Sequence, residues 1–544
     1  MTVHRIMGSE TEFGVLAPSA PGADSTVLAT RVINAWADLT GLYTRANSSA
    51  GGAGWDYSDE APLADARGWV LARGAADPSQ LTDEPDVLTA EQVAAEGLDD
   101  AADDGTDPIT DGILMNVVLG NGARLYVDHA HPEYAGPEVT NPLDAVRWDA
   151  AGDAVARAAM DRITATGGTP IQLYKNNTDG KAASYGSHEN YLMPREVPFG
   201  AIVAGLVPFF VSRQVICGAG RVGIGVDGST PGFQLSQRAD FFEAEVGLET
   251  TVRRPIINTR DEPHAVAERF RRLHVIIGDA NLAEISGYLK FGTTALVLSM
   301  IEAGTAPTVQ VVDPVAALQT ISHDPTLRAT VRLADGRAVT GLDLQRIYLD
   351  AARAHCARTG ADDPATDPMT ADVLARWTEL TDLLAADPAA AADQLDWAAK
   401  LALVSAYRDR DRLAWDDPRL ALVDLQYSDV RTGRGLYHRL VAGGRLRRLL
   451  DDEDVAAAVT DPPEDTRAWF RGQCLQRFAG NVAAANWDSV VFDLPGARRL
   501  VRIPTKEPHR GTRDLTASLF ADSIDAADFV RRLGTGPEPG GVAR

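Results

Sequence analysis

The sequence predicts an α+β protein in which an antiparallel sheet is covered on one side by helices. Three patterns carry that expectation. The stretch ILMNVVLGNGARLYVD (113–128) sets two apolar runs around Gly-Asn-Gly, a strong hairpin signal. Short strand-type runs recur at 3–16, 170–176, 189–194, 232–237 and 272–281. From about Gly341 to Arg448 the pattern is mostly helical, and AADQLDWAAKLALVSAYRDRDRL (391–413) is its clearest amphipathic stretch.

Taken in order, an opening strand VHRIMGSETEFGVL is followed by a helical pattern near Thr26–Thr40 and a Gly/Ser/Ala loop, ANSSAGGAGWD. Residues 76–112 turn to Asp, Ala, Pro and Thr with few large apolar residues, the composition of a mobile acidic insertion. After the hairpin, Asn141-Pro142 opens a helix. The run SVVFDLPGARRLVRIP (489–504) predicts a short β unit near the C-terminus. The expected division is a catalytic domain over 1–425 and a small C-terminal domain and tail over 426–544.

With 45% hydrophobic and 24% charged residues, the 544-residue chain has an ordinary globular composition. The formal charge is −24, and half of it comes from the twelve Asp and Glu between Asp77 and Asp111, which has no Lys or Arg. Basic clusters at HRLVAGGRLRRLL and ARRLVRIPTKEPHRGTR leave local room for a polyanion despite the net charge. Cys217, Cys356 and Cys474 lack metal-ligand spacing and are expected as buried free thiols of a reducing compartment. No apolar run is expected to span a membrane, and MTVHRIMGSE lacks the apolar centre of a signal peptide. A cytoplasmic protein without membrane or nucleic-acid partners is the expectation.

The polar residues are not scattered. In ARLYVDHAHPEYAGPEVTNP (123–142), an aspartate, two histidines and two glutamates fall within eleven residues of one another. Strand alternation puts Arg124, Tyr126 and Asp128 on one face and Leu125 and Val127 on the other. An arginine there can clamp phosphate, a tyrosine can offer oxygen to a cation, and an aspartate can attack or activate water. His131, Glu133 and Glu138 follow at once. In the first strand, Glu10 and Glu12 also share a face, about 6.5–7 Å apart, where like charges repel unless a cation sits between them. Gly8 and Gly14 flank the pair. Hard oxygen ligands of this kind suit Mg²⁺ shared with nucleotide phosphates. His188, Arg238, Arg260 and Trp487 add a ring or a charge in other segments, and His274 sits within the apolar run RLHVII, as a core histidine or as a ligand at a sheet face. No P-loop or GxGxxG signature is expected, so any nucleotide is expected to bind outside the familiar glycine-loop folds.

The segments RIMGSETEFG, ARLYVDHAHPEYAGPEVTNP, NNTDGKAASYGSHENYL, GFQLSQRAD, INTRDEPHA, RRLHVIIGDANLAEISGYLK and DPRLALVDLQYSDV together resemble the Pup ligase/Pup deamidase family, which acts on the prokaryotic ubiquitin-like protein Pup. The resemblance runs over almost the whole chain. It implies a glutamine-synthetase-like curved antiparallel sheet with a small C-terminal domain, binding ATP (or ADP with phosphate) and Mg²⁺. It implies Glu10, Tyr126 and Glu133 as metal ligands, joined by His188 and His274. Arg124, Glu12, Arg260 and Trp487 would contact nucleotide, and Arg238 and Arg260 would hold phosphates or the terminal glutamate-like group of Pup. Asp128 matches the catalytic aspartate, acting as nucleophile or as base.

Two features favour the hydrolytic branch over the ATP-consuming ligase: the long acidic insertion before the hairpin, and the turn DHAHPEY, one residue shorter than in the ligase. The resemblance then implies deamidation of a C-terminal Pup glutamine and cleavage of Pup–lysine isopeptide bonds, with nucleotide not turned over. Pup and pupylated proteins would be the partners, with a place beside the proteasome. The acidic insertion is expected to compete with the acidic Pup chain for basic residues.

Overall fold

The computed structural model describes residues 2–42, 53–83 and 114–534. Most of the expected acidic insertion, and much of the expected Gly/Ser/Ala loop, lie outside the described residues. The centre of the molecule is a six-stranded antiparallel sheet. Numbered within this sheet, its strands are β1 (Met7–Glu12), β2 (Asn116–Val118), β3 (Arg124–Asp128), β4 (His131–Ala135), β5 (Ser187–Pro194) and β6 (Phe270–Val275), in the order β6-β5-β1-β4-β3-β2.

Register decides what each face carries. Tyr126 lies opposite Glu133, which lies opposite Glu12; Arg124 lies opposite Ala135, then Glu10, then His188. Asn190 lies opposite His274. Because side chains alternate, all these residues fall on one face. The other face carries Val117, Leu125, Val127, Tyr134, Tyr191 and Leu273, all buried. Helices cover that apolar face: α1 (Ser25–Leu39), α2 (Pro142–Ala165), α3 (Phe199–Cys217) and α4 (Glu284–Glu302).

The expected helix starts have local causes. Asp24 caps α1 by accepting from the amides of Thr26 and Val27. Asn141 caps α2, and Pro142 fills its first turn, where a missing N–H costs nothing. In α1 the buried Leu28, Val32, Ile33 and Trp36 recur at three- and four-residue steps and form one stripe.

Three expectations need correction. The 19-residue α3 is long and apolar enough to cross a membrane, yet most of it is buried inside the protein. Its apolar character reflects its place at the centre of the core, where it is hydrophobic almost all round. Gly218-Ala219-Gly220-Arg221-Val222-Gly223 does have dinucleotide-loop glycine spacing, but it follows a helix and opens strand Arg221–Ile224. That reverses the strand–turn–helix order a phosphate loop needs. The division expected at residue 425 falls inside helix Pro418–Tyr427, and Tyr427, Tyr437, Leu440 and Leu446 pack with Leu282 and Val404 of the main body.

The C-terminal apolar cluster is built instead from Phe470, Phe478, Phe492, Phe520 and Phe529. Strands Val482–Ala485, Ser489–Phe492 and Val501–Pro504 form its sheet, which Gly54–Trp55 joins in parallel. Val118 and Trp55 belong to the same cluster, so this unit sits against the polar face of the central sheet. All three cysteines are free and buried.

Glu138, grouped by sequence with the polar turn, serves this junction. Its carboxylate takes Arg467 at 2.7 Å and Arg471 at 2.5 Å. Burial alone would raise its pKa, but the two guanidiniums outweigh that and hold it at about 2. Glu189 is also structural. It points into the core and forms a two-pronged pair with Arg213, both bonds 2.8 Å, while the Tyr191 hydroxyl donates to it at 2.7 Å.

Two outcomes are expected. Glu189→Ala strands the buried Arg213 charge and should lower unfolding free energy by roughly 3–5 kcal/mol, read from denaturant midpoints. Glu138 has a depressed pKa, so its stabilisation is present above the ordinary carboxylate pKa and is lost as pH falls toward about 2. The stability difference between wild type and Glu138→Gln should therefore shrink between about pH 5 and about pH 3; a constant difference contradicts this.

Candidate active site

The polar face of the sheet forms the floor of a cavity of about 830 Å³. Glu10, Arg124, Tyr126, Asp128, Glu133, His188, Arg260, His274 and Trp487 line it. Residues from strands far apart in sequence therefore meet in one compartment, as their register requires.

Two groups of potential cation ligands stand on this face. Glu10, His188 and His274 each offer an atom within 4.8 Å of the others, and so do Glu12, Asp128 and Glu133. The structure thus redistributes the expected set. Glu12, expected with the nucleotide contacts, joins the carboxylate triad and also accepts from the Gly186 amide at 2.6 Å. Tyr126 stands opposite Glu133, and burial with the adjoining carboxylates pushes its phenol well above the usual range. It remains a neutral hydroxyl beside the triad.

Charge crowding is evident from the carboxyl groups themselves. Burial, with Asp128, Glu12 and Glu10 nearby, pushes Glu133 well above the usual carboxylate range. Glu10 goes the other way. Burial opposes ionisation there, but a hydrogen bond from His188 and the charge of Arg272 hold the group well below that range. A divalent cation would relieve the crowding, and carboxylate-rich donors fit a hard ion.

Asn190 fixes the tautomer of His274. Its amide nitrogen donates to Glu10 at 2.9 Å, so its oxygen accepts from Arg272 at 2.8 Å and from His274 Nδ1 at 3.0 Å. His274 Nε2 is then left with a lone pair, the form a metal ligand needs. Burial and the nearby Arg272 keep the ring well below the ordinary histidine range, hence neutral.

At the opposite end, Arg124 is shelved between aromatic faces, 4.0 Å from the Trp55 ring and 3.8 Å from the Tyr126 ring. Its Nε donates to Asn116 at 3.1 Å. Trp487 meets Trp55 edge-on at 5.2 Å. This pre-oriented guanidinium beside indole edges can receive a phosphate and a flat ring.

Arg238 does not reach the cavity lining. It is buried beside Ser184, with Nη1 donating to the Ile276 carbonyl, and burial plus repulsion from Arg254 lowers its pKa to about 9. Arg260 does line the cavity, with Nη1 3.7 Å from Glu262. Several cavity residues escaped the sequence reading: Tyr57, Glu60, Glu262, His264 and Arg272. Arg272 was legible in principle, since it shares a strand face with His274 two residues on.

The Asp128 turn is tight. Only His129 and Ala130 separate β3 from β4, with φ of 44° and 72°. Both sit in the left-handed region that two-residue hairpins usually fill with Asn-Gly. Asp128 Oδ2 lies 2.6 Å from His129 Nδ1. Burial would raise the Asp128 pKa, but the charge and hydrogen bond of His129 win and keep it ionised.

Gly186 gives a sharp test of this geometry. A Cβ there would fall 2.4 Å from His188 Nε2 and 2.6 Å from Glu12 Oε1. If these groups hold a divalent cation, Gly186→Ala, which displaces both side chains, should weaken affinity for Mg²⁺ by roughly 10–100-fold, read by calorimetric titration. Unchanged affinity would contradict the assignment of these two residues.

Known proteins resemble this chain along most of its length. The family model described as Pup-ligase protein matches residues 5–491. A depupylase of Acidothermus cellulolyticus is 54% identical over 98% of this chain and 99% of its own length. A Pup deamidase/depupylase of Mycobacterium tuberculosis is 53% identical over 98% of this chain and 100% of its own. A Pup–protein ligase of Arthrobacter is 44% identical over 67% of this chain and 81% of its own. Among solved structures, the complex between Pup and its ligase PafA matches with a TM-score of 0.72 and 28% identity, over 99% of both chains. The ligase PafA in complex with ADP matches at 0.67 and 33%, over 80% of this chain and 94% of its own. The family model and the near full-length identity agree with the fold match: this chain belongs to the Pup-ligase protein family.

Proposed function

We propose that this chain is an amide hydrolase of the Pup pathway. It converts a C-terminal Pup glutamine to glutamate and cleaves the isopeptide bond between Pup and a target lysine. The observation that carries this reading is 53–54% identity along essentially the full chain to proteins named for those activities, against 44% over two thirds of it for a ligase.

The site supports the chemistry. Hydrolysis adds water across the amide and releases ammonia, or the lysine amine. It needs an oxygen nucleophile and a positive field at the developing tetrahedral oxygen. Asp128 supplies an ionised carboxylate, either for direct attack or to take a proton from the attacking water. Glu10, His188 and His274, with Glu12 and Glu133, would hold Mg²⁺, which when bound supplies that field and orients phosphate. Arg124, Arg260 and Trp487 would hold ATP, or ADP with phosphate, and the nucleotide kinship is supported by the ADP complex of a solved relative. Arg238, away from the cavity lining, would support the Ser184–Gly186 segment instead of touching substrate.

The ligase is the second reading, favoured by the family description and by the identity of the solved relatives. Incubation with glutamate-ended Pup, ATP and a lysine-bearing acceptor separates the two, because conjugation with ADP release marks the ligase. For the hydrolase, mass spectrometry of glutamine-ended Pup with nucleotide and Mg²⁺ should show a gain of about one dalton, as amide becomes acid. Asp128→Asn should slow it by roughly 10³-fold or more. Wild-type protein that leaves the amide intact would refute the proposal.

A further inference from the structure

The two-residue turn after Asp128 holds a side chain that the chemistry above does not use. His129 has an acceptor at each ring nitrogen: Nδ1 lies 2.6 Å from Asp128 Oδ2, and Nε2 lies 3.1 Å from the main-chain carbonyl of Ser79. A carboxylate and a carbonyl can only accept, so both ring nitrogens donate and the ring is cationic. The ring is only about a third exposed. Ser79 belongs to the turn Pro78–Gln80, which Asp77 caps and whose segment Arg73 and Asp83 tie together. Pro78, Ser79 and Leu81 stand at the cavity wall.

We propose that His129 is a positioning residue that fixes the Asp128 carboxylate and straps the 77–83 segment to the cavity rim. The proposal rests on the hydrolase reading and deepens it. Three features of the geometry support it. The left-handed backbone at His129 and Ala130 folds the ring back over Asp128, and most residue types adopt that conformation only at a cost. A polar turn built from strained residues where Asn-Gly would relax it is the kind of strain found at functional sites. The bond also occupies one carboxylate oxygen. Among the described residues no other hydrogen bond reaches the Asp128 carboxylate, so Oδ1 is the oxygen left for reaction. A carboxylate rotating freely about its χ2 would present either oxygen, and a misplacement of about 1 Å at a reacting atom can cost 10²-fold in rate.

The ring's two contacts can be separated by substitution. Asn places an amide N–H near the Nδ1 position, and Gln places one near Nε2. Steady-state hydrolysis of glutamine-ended Pup should show kcat reduced roughly 10–100-fold in His129→Ala, with KM and ATP affinity within about twofold of wild type. His129→Asn should recover most of kcat, and His129→Gln should not. Limited trypsin digestion, with cleavage after Arg73 followed by mass spectrometry, reads the strap without reference to activity. Cleavage should quicken in His129→Ala and His129→Asn and stay slow in His129→Gln. Wild-type kcat in His129→Ala, or equal rescue by both amides, would overturn the positioning role. Equal digestion in all four proteins would overturn the strap. If wild type itself leaves Pup unchanged, the hydrolase reading fails instead, while the digestion series still decides the strap.

Discussion

Four carboxyl groups compressed onto one face of a sheet are the constraint on which this molecule depends. Glu10, Glu12, Asp128 and Glu133 come from three adjacent strands, and their register leaves them no other face. Such a surface is unfavourable in a protein interior unless positive charge or protons compensate. The protein uses both. His129 and Arg272 lean on the outer members, while burial and the neighbouring carboxylates push Glu133, at the centre of the negative field, toward its protonated form. A divalent cation would complete that balance, since hard carboxylate oxygens are the donors such an ion takes.

The rest of the fold serves to hold that face in place. Helices α1 to α4 bury its apolar reverse, and the Glu189–Arg213 pair pins β5 to α3 through the core. The C-terminal aromatic cluster closes the polar side, held to the sheet by Glu138 with Arg467 and Arg471. Trp55 and Trp487 reach the cavity from that junction, so its indole wall exists only where both parts of the chain meet.

Much of this was legible in the residues. Alternation in ARLYVD placed Arg124, Tyr126 and Asp128 together before any coordinates, and the spacing of Glu10 and Glu12 gave a second acidic strand. Glu138 misled, because a sequence cluster does not reveal that a strand has ended and the chain has turned toward distant arginines. Arg238 misled for a related reason: an arginine in a polar segment reads as a phosphate clamp until the carbonyls that absorb it are seen. The buried α3 was missed because an all-round apolar helix has no periodicity to detect. His129 stood in plain view, but the significance of DHAH depends on backbone angles that no composition or spacing reports.

We propose that the crowded carboxylates form a cation site, which thermal unfolding with and without Mg²⁺ can decide. Wild type should gain several degrees in Tm as Mg²⁺ rises to millimolar levels, since an ion bound only by the folded state stabilises it. A Glu12→Gln/Glu133→Gln variant should start at or above the metal-free wild-type Tm and barely respond. A wild-type Tm indifferent to Mg²⁺, or an equal rise in both proteins, would contradict the account.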